Sequence, residues 1–275
     1  MRRAGGAAAA ALALILAACS QQQDAPAGNA AENAAASRFA ERMTGAQPPA
    51  PPARPFKVEE KDAFLTFAFS YPASAAAIPA LVDKFRRQMD SAKADALRMA
   101  KEDSASAKSS GYPFRPHDLG IAWTTAADTP RFLALRSENY AFTGGAHGMT
   151  GYDVLLWDKA RQRETAVKAL MTSPQAFKAA ITTPFCAELD RQRAEKRGAP
   201  VVRSGEDDFT ACIDPMEQTL VPTSKDGKLI DSITVVVGPY SAGPYAEGTY
   251  EVAVPMDAAL RKTIKTEYQD AFVGG

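Results

Sequence analysis

Residues 131–157, RFLALRSENYAFTGGAHGMTGYDVLLW, contain two strand patterns separated by a turn. The flanking runs, 131–142 and 150–157, are rich in apolar and aromatic residues, and the segment between them, from Thr143 to Gly148, is rich in glycine. Strand patterns bounded by such a segment are typical of a β-hairpin. The sequence therefore predicts two adjacent antiparallel strands here.

The residues before this hairpin predict a strand, a long helix and a further strand. Alternate positions of 65–71 are apolar, which indicates a strand with one buried side that ends at Pro72. Apolar residues then recur at helical spacing, at Ile78, Leu81, Val82, Phe85 and Met89. Because charged residues cover the opposite face, this pattern predicts an amphipathic helix over 76–106. A strand is expected at 119–126.

The residues after the hairpin predict two more helices and three strands. Apolar spacing indicates a helix near 174–197, and Pro184 inside it predicts a kink or a break. Basic residues near its end suit the negative end of a helix dipole: Arg191, Arg193, Lys196 and Arg197. Strand patterns follow at 219–223, 229–237 and 248–254. Asp226-Gly227 between the first two is a hairpin signal, and a last helix is expected near 256–272.

This order of elements predicts the fold class. Strands and helices are grouped rather than strictly alternating, which indicates an α+β protein. We expect antiparallel sheets packed with a long N-terminal helix, a central helix and a C-terminal helix.

The N-terminus has the form of a bacterial lipoprotein signal. Arg2 and Arg3 precede a short apolar run, and Leu16-Ala17-Ala18-Cys19 resembles a lipobox. The apolar run is shorter than the roughly 20 residues that cross a bilayer. We expect residues 1–18 to be removed and Cys19 to be lipidated. The alternative is an ordinary signal peptide with a chance cysteine.

Residues 19–55 are expected to form the lipid anchor and a tether. They are dominated by Ala, Gln, Asn and Pro, and so few large apolar side chains cannot offset the loss of chain entropy on folding. Ser20, rather than aspartate, follows Cys19, which by similarity to enterobacterial sorting favours the outer membrane, facing the periplasm.

Charge and cysteine content limit the possible partners. The 32 basic and 32 acidic residues leave no basic excess for phosphates, which argues against nucleic acid. Cys186 and Cys212 are expected to form a disulfide in an oxidising compartment. Two buried thiols or a metal site are the alternatives, and the chain's two histidines and lack of a Cys-x-x-Cys motif make a metal the weaker one. We expect no cofactor.

His147 is the one histidine in a suggestive setting, beside glycines in a turn. A nucleophile–base pair would need a Ser, Thr or Cys brought to it by the fold, and the sequence has no Gly-x-Ser-x-Gly motif. The favoured interpretation is structural: the glycines allow positive φ or close approach, and the histidine fixes the turn by hydrogen bonding. A binding role is the alternative, together with Tyr240 and Tyr245 in a Gly-Pro-rich loop.

Two motifs resemble known domains. Asn139-Tyr140-Ala141-Phe142-Thr143-Gly144-Gly145-Ala146-His147-Gly148, followed by a strand, resembles a segment of DUF4163 domains. Gly238-Pro239-Tyr240-Ser241-Ala242-Gly243, followed by a strand and a Leu-containing helix, resembles the end of DUF3298 domains. The resemblance implies a DUF4163-like segment at 56–160 and a DUF3298-like segment at 161–275. It marks Tyr140, Thr143, Gly144, Gly145, His147 and Gly148 as a candidate binding or structural turn.

The resemblance implies a binding role rather than catalysis. The tandem is similar to the extracellular part of RsiV-type anti-sigma factors, which bind lysozyme, and to the non-catalytic N-terminal region of a peptidoglycan deacetylase. We therefore expect a tethered, non-catalytic envelope module that binds a lysozyme-like wall-active protein or peptidoglycan. The alternatives are a structural or accessory lipoprotein without a soluble ligand and, less favoured, a hydrolase.

Overall fold

A computed structural model describes residues 52–203 and 209–274. The predicted signal peptide, Cys19 and nearly all of the tether lie outside these residues. The described residues form one compact unit, so the two predicted segments pack against each other. No helix of the described part of the chain is both long and apolar enough to cross a membrane.

A six-stranded sheet forms the first layer, with its strands in chain order. They are β1 (Phe56–Lys61), β2 (Leu65–Tyr71), β3 (His117–Asp128), β4 (Phe132–Phe142), β5 (Met149–Asp158) and β6 (Arg163–Thr165). The predicted hairpin is confirmed as β4 and β5. β2 and β3 pair in parallel, whereas the other neighbours are antiparallel. A parallel pair needs a long crossover, and a helix supplies it here.

That crossover contains a one-turn helix, α1 (Ala73–Ala76), and the predicted long helix, α2 (Pro79–Ser110). Gly111 ends α2 with a φ of 76°, a left-handed conformation that glycine adopts at little cost. One face of α2 covers the sheet, and Phe85 packs on Trp123 with ring centroids 5.1 Å apart. Phe67, Phe69 and Leu135 complete the centre of this fully buried core.

The opposite face of the sheet carries a second core over part of its area. Leu133 and Leu135 of β4 face α2, whereas Phe132 and Ala134 face the other way, as strand alternation requires. Covering them are helix α3 (Pro174–Arg197) and a three-stranded antiparallel sheet of β7 (Thr219–Thr223), β8 (Ser232–Val237) and β9 (Tyr250–Pro255). The fold class predicted from the sequence is confirmed.

Two details of the second half concern predicted helices. Of the kink or break predicted at Pro184, the break is wrong, since α3 runs through Pro184 as one helix to its left-handed cap at Gly198. The segment expected to be one helix at 256–272 forms only α4 (Ala258–Arg261) and a 3₁₀ helix, Thr266–Ala271. The chain between them pairs with a neighbouring strand-like segment instead. Thr172 N donates to Thr263 O at 2.7 Å, and Lys265 N donates to Leu170 O at 2.9 Å.

The predicted disulfide joins Cys186 in α3 to Cys212, with a Cα–Cα distance of 5.5 Å. It fixes the segment after α3 to the middle of that helix. Arg203 adds a second tie, since its guanidinium lies 2.6 Å from the Asp190 carboxylate. The connection between α3 and β7 is therefore held close to the helix at two points.

Candidate functional site

The Thr143–Gly148 turn joins β4 to β5 at one end of the six-stranded sheet. Gly144 and Gly145 have φ values of 105° and 82°, which other residues rarely adopt. Gly148 has a different reason to be glycine: a Cβ there would lie 2.5 Å from the ring of Tyr140. The turn motif thus reflects both backbone conformation and the close approach of one tyrosine ring.

The turn meets the Gly-Pro-rich loop about 90 residues later in the chain. His147 stacks on Tyr245 with ring centroids 3.7 Å apart and planes at 17°, and Tyr240 lies 6.2 Å from His147 and 5.7 Å from Tyr245. We call these three residues the Tyr–His cluster. Tyr240 is 48% exposed and His147 is also exposed, so the cluster presents aromatic surface to solvent.

Hydrogen bonds fix the orientation of the His147 ring. Nδ1 lies 2.9 Å from Gly148 O, a carbonyl that can only accept, so Nδ1 carries a proton. Nε2 lies 3.2 Å from the Tyr240 hydroxyl, which donates a hydrogen bond to it when the ring is neutral. The side chain therefore links its own turn to the distant loop. Tyr240 holds a φ of 68°, an uncommon value for a residue with a side chain.

The loop from Gly238 to Gly248, which we call the 238–248 loop, is held by cations at the end of α3. Arg197 binds the Glu247 carboxylate through two hydrogen bonds of 2.8 and 3.0 Å. Lys196 donates to the backbone oxygens of Glu247 and Thr249 at 2.5 and 2.7 Å. Arg193 is fully buried and donates to Ala242 O at 2.9 Å. Three basic residues thus fix the middle and the C-terminal end of the loop.

Glu247 is at the centre of this anchor. The hydrogen bonds from Arg197 lower the pKa of its carboxyl group, and the Tyr250 hydroxyl also donates to it. Burial and this hydrogen bond together raise the pKa of Tyr250 to about 12. A Cβ on Gly243 would lie 2.0 Å from Glu247 Oε2, so this glycine leaves room for the ion pair.

A basic side chain also supports the other side of the turn. Arg115 donates to Gly145 O at 2.6 Å, and its guanidinium lies 4.6 Å from the centre of the Phe142 ring. Two cavities flank it. One, of about 390 Å³, is lined by Lys61, Thr66, Asp118, Tyr140 and His147 among others; the other, of about 350 Å³, is lined by Tyr112, Phe114 and Thr143–Gly145 among others.

Most of the exposed large apolar residues lie near this turn. Among described residues these are Met99, Tyr112, Met149, Val202 and Tyr240. Met99 and Tyr112 each line a cavity that Thr143 also lines, Met149 follows Gly148 directly, and Tyr240 contacts His147. Tyrosine, methionine and arginine are enriched in the centres of protein interfaces. The surface around the turn therefore has the composition of a binding surface.

The structure brings together the candidate residues of both predicted motifs. Tyr140, Gly148, His147, Tyr240 and Tyr245 form a continuous chain of contacts, and Thr143 lines two adjoining cavities. The disulfide lies elsewhere, on α3, and Cys19 lies outside the described residues. The sequence did not reveal that the loops meet, nor that basic residues of α3 anchor the 238–248 loop.

The sequence of α3 contains a pattern that indicates the attachment of the 238–248 loop. Phe185, Leu189, Arg193 and Arg197 follow one another at intervals of four, so the two arginines continue the buried apolar stripe of α3. Their position near the end of α3 predicts only an interaction with the helix dipole. A cation on a buried stripe predicts a buried acceptor, and the loop supplies one.

His117 and Asp103 form a polar pair outside the Tyr–His cluster. His117 is buried and its Nε2 lies 3.0 Å from the Asp103 carboxylate, an ion pair only when the ring is protonated. Within residues 52–203 and 209–274, no group of three or more His, Cys, Asp or Glu side chains is arranged to hold a metal ion.

The sequence matches one known family over part of its length. Residues 58–150 match the family described as Deacetylase PdaC. This region is about a third of the chain and runs from β1 to just beyond the turn. No curated protein shows significant similarity.

Two solved structures are similar to most of the chain. Both are described as DUF3298 family proteins. One, from Bacteroides fragilis, has 20% identity and a TM-score of 0.46, with 78% of this chain and 93% of that chain covered. The other, from Pseudomonas aeruginosa, has 14% identity and a TM-score of 0.47, with 82% and 99% covered. The predicted resemblance to DUF3298 agrees with these similarities; those to DUF4163 and to anti-sigma factors stay predictions.

Proposed function

We propose that this chain is a non-catalytic lipoprotein of the cell envelope that binds a wall-active protein such as lysozyme, or peptidoglycan itself, through the surface around the Tyr–His cluster. In this proposal Cys19 carries the lipid, residues 19–55 are the tether, and the folded unit faces the periplasm from the outer membrane.

One observation carries the binding role. Two glycine-rich loops, 90 residues apart, are each rigidly supported and meet in an exposed aromatic cluster. A packed core gains nothing from exposed tyrosines, whereas rigid aromatic side chains contribute much of the free energy of binding in interfaces. Bidentate anchoring by Arg197 and the His147 hydrogen bonds hold the rings in place before binding, which lowers its entropic cost.

The site also suits binding better than hydrolysis. His147 Nδ1 donates a hydrogen bond to a backbone carbonyl, and Nε2 accepts one from the Tyr240 hydroxyl. Both hydrogen bonds orient the imidazole ring rather than activate a nucleophile. The family description that matches residues 58–150 names a deacetylase, so catalysis is tested directly. We expect no release of acetate from peptidoglycan, and no change in this result for His147→Ala.

Calorimetric titration of the purified full chain tests the proposal. C-type lysozyme and solubilised peptidoglycan are titrated separately, and lysozyme activity is followed in parallel. We expect micromolar or tighter binding of one ligand, weakened by at least about 30-fold in Tyr240→Ala, as for a central interface residue. A Val202→Ala variant, exposed but remote from the turn in sequence, is the control and should bind normally. Absence of heat with both ligands at high micromolar concentration would favour a structural lipoprotein instead.

The proposed lipid anchor at Cys19 is tested separately. Cys19→Ala should leave the protein unprocessed or free of lipid, and mass spectrometry of the purified protein should show an acylated Cys19 as the first residue of the wild type. Wild-type protein that starts elsewhere, or that lacks acyl chains, would contradict the lipoprotein assignment.

A further inference from the structure

We propose that the open face of the six-stranded sheet, beside the Tyr–His cluster, is a groove for a glycan that bears a carboxylate. This inference rests on the proposed function, because it names the chemistry of the ligand at the same surface. Of the two ligands in the proposed function, we infer that the direct one is the saccharide of peptidoglycan rather than a wall-active protein.

The strand register defines the floor of the groove. Three rows of directly paired residues cross β2, β3 and β4 on one face: Thr66–Asp118–Phe142, Ala68–Gly120–Tyr140 and Ser70–Ala122–Glu138. These residues face away from α2, since their neighbours Phe67, Phe69 and Ile121 fill the α2 core. Small side chains on β2 and β3 leave a depression, and Tyr140 forms its wall on β4.

The depression is continuous with the Tyr–His cluster. A cavity of about 350 Å³ lies over Ala68, Gly120 and Ala122, and the cavity of about 390 Å³ reaches His147. Both are lined by Tyr140. A Cβ on Gly120 would meet no atom within 4 Å, so the space above this residue is open. Each volume is in the range of small-molecule sites.

The charged residues that line the groove indicate which kind of ligand it can bind. At the His147 end, Lys61 and Arg115 line the groove with Asp118. Arg115 uses one of its N–H groups on Gly145 O, and within the described residues neither it nor Lys61 has an acidic partner. A guanidinium with free N–H groups matches the geometry of a carboxylate. At the other end, Lys57 is already paired with Glu59 at 2.6 Å, and Glu138 and Ser70 can accept hydrogen bonds from hydroxyl groups.

A saccharide fits this combination better than a basic protein does. The C–H face of a pyranose packs against an aromatic ring, whose face is electron-rich, and Tyr140, Tyr240 and Tyr245 supply such rings. Asp118 and Glu138 bind hydroxyl groups, and the cations bind the acid group. A strongly basic protein such as C-type lysozyme would instead bring its own positive charge to Lys61 and Arg115, which disfavours association.

The test compares two saccharides that differ in one group. The full chain is titrated with a tetrasaccharide of alternating N-acetylglucosamine and N-acetylmuramic acid, and with the tetrasaccharide of N-acetylglucosamine alone, which lacks the lactyl carboxylates. We expect the acidic saccharide to bind about tenfold more tightly, the effect of a hydrogen bond to a charged group. Added salt should reduce this difference, since the attraction is partly ionic.

Two glycine variants locate the site. Gly120→Val places a side chain in the open space of the groove, on a strand where valine is favoured, and should abolish binding of both saccharides without loss of stability. Gly151→Val is the matched control: its Cβ also meets no atom within 4 Å, but Gly151 pairs with Asn139 and so faces the other side of the sheet. It should bind normally. Lys61→Gln should weaken only the acidic saccharide.

The outcomes separate this inference from the proposed function. Equal binding of the two saccharides would contradict the proposal that the groove binds a glycan with a carboxylate. Normal binding by Gly120→Val with a native melting curve would contradict it as well. Binding of lysozyme without any saccharide would overturn it too, yet would leave the binding-module proposal standing. Only the failure of lysozyme, of both saccharides and of solubilised peptidoglycan together would remove the proposed function.

Discussion

Replacing Gly243 with alanine would put a methyl group where the Glu247 carboxylate lies. The new Cβ would be 2.0 Å from Oε2 and 2.8 Å from Cδ, whereas real Cβ contacts are essentially never under 3.0 Å. The carboxylate would have to move by at least the difference, 1.0 Å, and would lose the geometry of its bonds to Arg197 and Tyr250. Overpacking costs about 1–3 kcal/mol and a lost charged hydrogen bond about 1.5–3 kcal/mol.

Because these two costs overlap, we expect Gly243→Ala to lower the free energy of unfolding by about 2–4 kcal/mol in urea titrations. Gly151→Ala, whose Cβ meets nothing, should change it by less than about 0.5 kcal/mol. In a Glu247→Ala background the next nearest neighbour of the new Cβ is the end of the Arg197 side chain, at 3.2 Å, which can shift, so the same substitution should cost little. An equal cost in both backgrounds would refute the reasoning, since the Glu247 ion pair would then not be what the glycine accommodates.

Three further predictions concern the same region and the disulfide. Gly148→Ala should cost about 1–3 kcal/mol in urea unfolding, because its methyl group meets the Tyr140 ring, and Tyr140→Ala should remove most of that cost. Reduction of the disulfide should lower stability by about 3.5 kcal/mol, through the regained entropy of the unfolded chain, seen as a lower melting temperature with a phosphine reductant. The Arg197 hydrogen bonds hold the pKa of Glu247 below 4.5, so their contribution is present above that pH and lost as pH falls through the lowered value. Glu247→Gln should therefore flatten the dependence of unfolding free energy on pH below 4.5, and an unchanged slope would contradict this.

The sequence predicted the elements that have a clear apolar period. The alternation of 65–71 gave β2, the helical spacing gave α2 and α3, and both hairpins were placed by their glycine-containing turns. β1 was missed because it is an edge strand whose residues are mostly exposed, so it lacks a buried face to produce alternation. The last helix was overestimated, since the apolar spacing at 260–272 is also satisfied by short helical turns that pair with residues 170–172.

The candidate site was predicted in its parts but not as a whole. The turn and the 238–248 loop were each singled out by glycine, proline and aromatic residues. Their meeting depends on how the three-stranded sheet packs on β4 and β5, which no local pattern encodes. Arg115 and Gly120 were missed for a related reason: Arg115 lies in a loop between Pro113 and Pro116, Gly120 is a lone glycine in a strand, and only the folded chain brings both to the groove.

Hydrogen–deuterium exchange tests most directly whether the two loops form one binding site. The exchange of backbone amides is measured on the full chain alone, with C-type lysozyme, and with soluble peptidoglycan fragments. We predict that one of these ligands slows exchange in 143–148 and 238–248 together, with no slowing on the solvent-facing side of α2. Unchanged exchange in both loops under saturating ligand, or protection confined to another surface, would contradict the account.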